Sequence, residues 1–116
     1  LPEELEKTGL AESLRRLVEK LNLNHYVRFH LNDSGLTERL DKQTEFHLYN
    51  ICLELTNNIL KHSGATEAHL RFDRNGNQIV LTVTDDGRGL QPGETTDGIG
   101  MKNIHTRVES IGGRSG

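Results

Sequence analysis

Two alternating runs joined by Asn75-Gly76 constrain this chain more than any other feature. Ala68, Leu70 and Phe72 alternate with Glu67, His69, Arg71 and Asp73. After the turn pair, Ile79, Leu81 and Val83 alternate with Val80, Thr82 and Thr84. Alternation with a period of two marks a strand with one face toward a core, and Asn-Gly is a strong hairpin turn. The reading is two antiparallel strands with one distinctly apolar face. That face needs a cover, and the remaining segments are mostly helical, so the chain predicts an α+β two-layer sandwich.

The helical segments are read from their own period. Pro2 followed by Glu3 and Glu4 suits a first helical turn, and Gly9 interrupts it. Leu10, Leu14, Leu17, Val18 and Leu21 then fall on one face of an amphipathic helix ending near Asn22. His25 to Leu31 alternates as a half-buried strand, and Asn32-Asp33-Ser34-Gly35 is a turn cluster. Leu36 to Lys42 is a connector without an assignment. Thr44 to His62 carries the longest helical pattern, closed by Ser63-Gly64. Leu48, Ile51, Cys52, Leu55 and Ile59 make one stripe, and Phe46, Leu53 and Leu60 a second. Ile104, Val108 and Ile111, at steps of four and three, predict a last helix stopping at Gly112-Gly113.

The 116 residues suffice for one domain with one core. A net charge of −3 argues against a nucleic-acid surface as the main business. Cys52 stands alone within a helical pattern, which excludes a disulfide framework and fits a reducing compartment. No apolar run reaches the length of a membrane span, and no signal peptide is visible.

The chemistry-bearing residues cluster in three places. Asn50, Glu54, Asn58 and Lys61 form a polar row between the two apolar stripes of the long helix, with His62 beside it. At about 100° per residue, Glu54 and Asn58 lie about 40° apart and Lys61 about 20° to the other side of Glu54. Such a row, flanked by apolar residues, calls for partners. Glu54 and Asn58 are hard oxygen donors of the kind that hold Mg²⁺ together with phosphate and water, although Glu-x-x-x-Asn alone is usually a plain surface pair. Asp85 ends a strand before Gly87, where a carboxylate can accept from an exocyclic amine such as that of adenine; alone, Asp-Asp-Gly is more often a turn. Gly98-Ile99-Gly100 opens a predicted helix, and a helix N-terminus suits phosphate. The dinucleotide fingerprint does not fit, because Asn103 replaces its third glycine and no βαβ unit precedes it. No Walker-type Gly-Lys-Ser/Thr occurs. The six histidines are scattered, and none has a metal-ligand spacing with Cys52; they read as structural or exposed.

Taken together these stretches carry a resemblance. Glu54-Leu55-Thr56-Asn57-Asn58-Ile59-Leu60-Lys61-His62-Ser63 resembles the N box of sensor histidine kinases. Asp85-Asp86-Gly87-Arg88-Gly89 resembles their G1 box, and Gly98-Ile99-Gly100-Met101-Lys102-Asn103 their G2 box. The chain is similar over nearly its whole length to the ATP-binding domains of the gyrase, heat-shock chaperone, histidine kinase and mismatch-repair superfamily. The opening Leu1-Pro2-Glu3-Glu4-Leu5-Glu6-Lys7-Thr8-Gly9-Leu10 and the Lys61-His62 pair resemble the nitrate-sensor and desaturase-sensor subtype.

The resemblance implies the Bergerat fold, a mixed sheet packed on one face by about three helices. It implies ATP and Mg²⁺ as ligands and transfer of the γ-phosphate to a histidine, by positioning and charge neutralisation. Asn58 would coordinate Mg²⁺, and Glu54 would orient or activate the attacking group through water. Lys61 and His62 would sit near the phosphates, and Asp85 would take the adenine amine. Gly87, Gly89 and Leu90 would border the base and start a lid. Gly98, Ile99, Gly100 and Met101 would turn the lid back toward the phosphates. The loop from Leu90 to Asp97 is short, without a separate phenylalanine-bearing box. Residues 1–8 would be the tail of a preceding dimerisation helix or a linker. Residues 9–116 would be the catalytic domain, lacking the family's final C-terminal hairpin. No histidine here sits in the acceptor motif, which would lie on the protein's own dimerisation domain. A response regulator, a homodimeric full-length protein and a cytosolic placement beneath an inner-membrane anchor are further implications, with no nucleic-acid partner. Two alternatives stay open: a serine kinase of the anti-sigma-factor type, and a non-catalytic nucleotide-binding module.

Overall fold

In a computed structural model, which describes residues 2–87 and 103–111, the elements run in this order. Helix α1 spans Pro2–Thr8 and α2 Leu10–Leu21, followed by strand β1, Arg28–Asn32. Helix α3, Lys42–Asn58, runs on into a π turn over Ile59–Ser63. Strands β2 (Glu67–Asn75), β3 (Gln78–Asp85) and β4 (Asn103–Ser110) complete the described elements. The sheet order is β1-β2-β3-β4, with β1 parallel to β2 and the other pairs antiparallel. This is the mixed sheet of an α+β fold.

The hairpin forms where its turn pair places it, with Asn75 opposite Gln78 and Ala68 opposite Asp85. Its apolar face is fully covered: Ala68, Leu70, Phe72, Ile79, Leu81 and Val83 are all 0% exposed. Leu10, Leu14 and Val18 of α2, Leu48 and Cys52 of α3, and Phe29 of β1 belong to the same core. Each buried Val, Leu, Ile or Phe side chain among them contributes about 1.5–3 kcal/mol by leaving water. The stripe of α2 therefore does what its spacing predicts. Of the first apolar stripe of the long helix, Leu48, Cys52 and, in the π turn, Ile59 are buried, while Phe46 and Leu53 of the second stripe are 45% and 38% exposed.

The unassigned connector acquires a role at its end. Asp41 caps α3, its side chain accepting from the backbone N–H groups of Gln43 and Thr44 and from the Thr44 hydroxyl. Glu45, buried in the first turn, receives Arg39 through two hydrogen bonds of 3.0 and 3.1 Å and the Leu40 N–H at 3.1 Å. Arg39 also donates to the Glu6 carbonyl, so one guanidinium ties α1 to α3. Leu5 of α1 is buried in the same core.

Two expectations need correction. The strand expected from His25 starts at Arg28, because the Asn24 side chain folds the preceding residues into a turn, accepting from Tyr26 and Val27. The helix expected through Ile104, Val108 and Ile111 is strand β4 over residues 103–110, in register with all of β3. Ile104, Thr106 and Val108 also satisfy a period of two and are β-branched, which suits a strand. The free edge of β3 offers a row of backbone donors and acceptors, and tertiary pairing overrides the weak helical spacing. His105 accordingly lies in a strand. Arg107 and Glu109 turn toward α3, where His47 Nδ1 meets Glu109 at 3.1 Å. Ile104 and Val108 remain exposed.

Candidate functional site

The apolar face of β3 ends in a charge. Ile79, Leu81, Val83 and Asp85 alternate on one side of the strand, and Asp85 is only 1% exposed. A carboxylate this deep requires donors. Its Oδ1 accepts from the Gly87 N–H at 2.7 Å and from Asn103 Nδ2 at 2.9 Å. A buried acceptor at a strand end, beside a backbone turn, can recognise an amine on a planar base.

Gly87 explains how that strand end meets the long helix. A Cβ at this position would lie 2.5 Å from the Ser63 carbonyl oxygen and 2.6 Å from Asp85 Oδ1. Only a glycine permits the approach. Gly87 thus packs on the last residue of the π turn, which carries Lys61 and His62. Gly64 closes that turn with φ 71, a left-handed conformation that glycine adopts without strain. Ser63 Oγ donates to the Ile59 carbonyl and accepts from the Ala65 N–H. The π turn is a local rewinding of the helix end, a device frequent at functional sites.

Asp86, the next carboxylate, faces away and performs a different task. Its Oδ1 accepts from the N–H groups of Thr66 and Glu67, its Oδ2 from the Thr66 hydroxyl at 2.9 Å. The Asp86 N–H returns to the Glu67 carbonyl. Burial alone would push this carboxyl up, but the hydrogen bonds from Glu67 and Thr66 outweigh it and hold it below the ordinary carboxylate value. Asp86 is a clamp on the start of β2. The sequence signal for it is the Asp-Asp doublet itself.

Of the remaining site residues, Glu54 and Asn58 lie one turn apart on the exposed side of α3. Lys61 and His62 are exposed on the π turn. The polar row is therefore open to solvent and reachable by a ligand, not sunk between two buried stripes. Gly89, Leu90, Gly98, Ile99, Gly100 and Met101 lie outside the described residues, so the structure brings together the N-box end and the first glycine of the G1 box only. The bond from Asn103 to Asp85 adds a contact that the sequence reading missed, and it depends on a strand register no periodicity could show. The donor set fits the expected ligands: a buried acceptor for a base, oxygen donors on an exposed helix face for a metal, and a lysine beside them.

A helix-covered mixed sheet with a buried carboxylate at a strand end, packed through a glycine onto a helix terminus, defines an α+β sandwich of the Bergerat ATPase type. Residues 43–115 match the family of histidine kinase-, DNA gyrase B-, and HSP90-like ATPases, and the chain belongs to that family. Family membership carries ATP binding. The chain is 28% identical to the signal transduction histidine-protein kinase/phosphatase UhpB of Salmonella typhimurium, over 97% of this chain and 23% of that protein. It is 32% identical to the sensor histidine kinase ComP of Bacillus subtilis, over 97% of this chain and 15% of that protein. It is 27% identical to the oxygen sensor histidine kinase NreB of Staphylococcus carnosus, over 97% and 33% respectively. The chain thus spans a third or less of these relatives' length. Among the described residues, no helix is long and apolar enough to cross a membrane.

Proposed function

We propose that this chain is the ATP-binding catalytic domain of a two-component sensor histidine kinase of the nitrate-sensor and desaturase-sensor type. Its role is to present ATP so that the γ-phosphate passes to a histidine on the protein's own dimerisation domain, and from there to a response regulator. The observation that carries the reading is Asp85, a nearly fully buried carboxylate placed at the end of an apolar strand face and packed through Gly87 against the end of the helix bearing Glu54, Asn58, Lys61 and His62. Asp85 selects the adenine amine. Asn58 offers an amide oxygen to Mg²⁺, which when bound offsets charge between the phosphates. Glu54, one turn earlier, positions the attacking imidazole through water, and Lys61 and His62 face the phosphates. The whole protein would be a homodimer with this domain on the cytosolic side of the membrane, and residues 1–8 would lead in from the dimerisation helices.

Titration with ATP and incubation with γ-labelled ATP test this. The chain should bind ATP in a Mg²⁺-assisted manner and remain unlabelled, because its own histidines are not the acceptor. Absence of ATP binding at millimolar concentration would refute the nucleotide site. Stable acid-labile label on one of its histidines would refute the separate acceptor.

A further inference from the structure

We propose that the sheet face opposite the helices carries a zinc-type metal site formed by His30, Glu67 and His69. The reading is independent of the nucleotide site. His30 on β1 and His69 on β2 are register partners across the parallel pair. Glu67 stands two residues before His69 and so shares its face. The register delivers all three side chains to one spot: His30 Nε2 lies 2.6 Å from Glu67 Oε1, and the two imidazole rings stack at 4.5 Å with 17° between their planes. One ligand atom from each of the three lies within 4.8 Å of the others. Ligands at Zn–N and Zn–O distances of about 2.0–2.2 Å in a tetrahedral site are separated by about 3.3 Å. Binding would close that gap by turning the two rings out of their stack, so that each aims an in-plane nitrogen at the shared ion.

The donor chemistry chooses the ion. Two imidazoles and one carboxylate, with a fourth position reached by water, are the ligand set of open zinc sites. Mg²⁺ and Ca²⁺ favour oxygen donors and are poorly served by imidazole. The surroundings allow the ion in. His30 and Glu67 side chains are each 46% exposed. A depression of about 390 Å³ lined by His30, His69, Arg71, Thr82 and Thr84 opens over the strands. Arg71, which lines it, is engaged with Asp73 at 3.0 Å. The ligands also stand on strands, not loops, and the Asp86 carboxylate holds the Glu67 N–H, so the backbone that carries them is fixed.

Calorimetric titration of the chain with Zn²⁺, with excess Mg²⁺ present, tests the site. One Zn²⁺ should bind per chain and raise the melting temperature, and Mg²⁺ should not compete. Loss of partners that only support metal ligands costs about 10–100-fold in affinity, so loss of a direct ligand should weaken binding by at least about tenfold. His30→Ala and His69→Ala should each show that loss, Glu67→Gln a change in the same direction, and His25→Ala none. His69→Gln, which keeps the bulk of the ring, gives the same result without emptying the face, should His69→Ala fail to fold. No uptake of Zn²⁺ by the unaltered chain would overturn the proposal. So would stoichiometric uptake that survives both His30→Ala and His69→Gln, because the ion would then sit elsewhere.

Discussion

Strands β2 and β3 present two faces to two different environments. Toward the helices stand Leu70, Phe72, Leu81 and Val83, none of them exposed, and at the end of that face Asp85. Toward the other side stand Glu67, His69, Thr82 and Thr84, all partly exposed. On the first face a polar group is tolerated only where its bonding needs are met, and Asp85 meets them with Gly87 and Asn103. On the second face polar groups are ordinary, and only their convergence distinguishes a site from a surface. The largest expected contrast follows from burial. Leu81→Ala should cost about 2–5 kcal/mol of unfolding free energy, the usual range for a leucine removed from a packed core. Thr82→Ala, its neighbour on the other face, should stay within about 0.5 kcal/mol. Chemical denaturation of the two variants measures both, and equal costs would mean that the faces do not differ in packing.

Asp85 and Asp86 repeat the contrast within two residues. Asp85→Asn keeps an oxygen for Gly87 and Asn103 but removes the charge, and losing a charged acceptor costs about 1.5–3 kcal/mol. ADP affinity should therefore fall about tenfold to a hundredfold. Asp86→Asn should leave ADP affinity nearly unchanged and act on stability, because its bonds go to Thr66 and Glu67. The direction with pH is fixed by the lowered carboxyl of Asp86. The unfolded chain takes up this proton more readily than the folded one. The stabilisation is in full force above the ordinary value of 3.8 and is lost as pH falls through the lower folded value. Melting curves between about pH 2 and 5 should show a shallower acid loss for Asp86→Asn than for the unaltered chain. Equal effects of the two substitutions on ADP binding would refute the division of labour.

Much of this was legible in the residues, for reasons that differ from place to place. The hairpin could be read because Asn75-Gly76 and strict alternation admit one arrangement, and α2 because its apolar residues keep helical steps on a single face. Strand β4 could not, since Ile104, Val108 and Ile111 satisfy a helical spacing while Ile104, Thr106 and Val108 satisfy a strand, and the edge of β3 decides. The polar row of α3 was found by period, but its second apolar stripe did not predict burial: Phe46 and Leu53 flank it and are exposed. Asp85 was visible as a strand-ending acid before a glycine. Its bond to Asn103 and the approach of Gly87 to Ser63 join segments far apart in sequence, and only the folded register shows them. The same holds for His30 and His69, which spacing leaves as two scattered histidines and the parallel pairing stacks.

An equally small effect on stability is expected at Asn58, and it separates a ligand from a structural amide. Asn58 lies on the exposed side of α3, whereas Cys52, Thr56 and Ile59 of the same helix end are buried. A buried amide whose loss left partners unpaired would cost about 1–3 kcal/mol. An exposed one should cost no more than about 0.5 kcal/mol. Asn58→Ala should accordingly melt near the unaltered chain. Its effect should appear in binding: a Mg²⁺ site has few protein ligands, so removing one should erase most of the gain in ATP affinity that Mg²⁺ confers. Metal-free nucleotide binding through Asp85 should change little. Measuring ATP affinity with Mg²⁺ and with a chelator, alongside the melting temperature, reads all three quantities. A large drop in melting temperature with the Mg²⁺ gain intact would place Asn58 with the packed residues of α3 and remove it from the site.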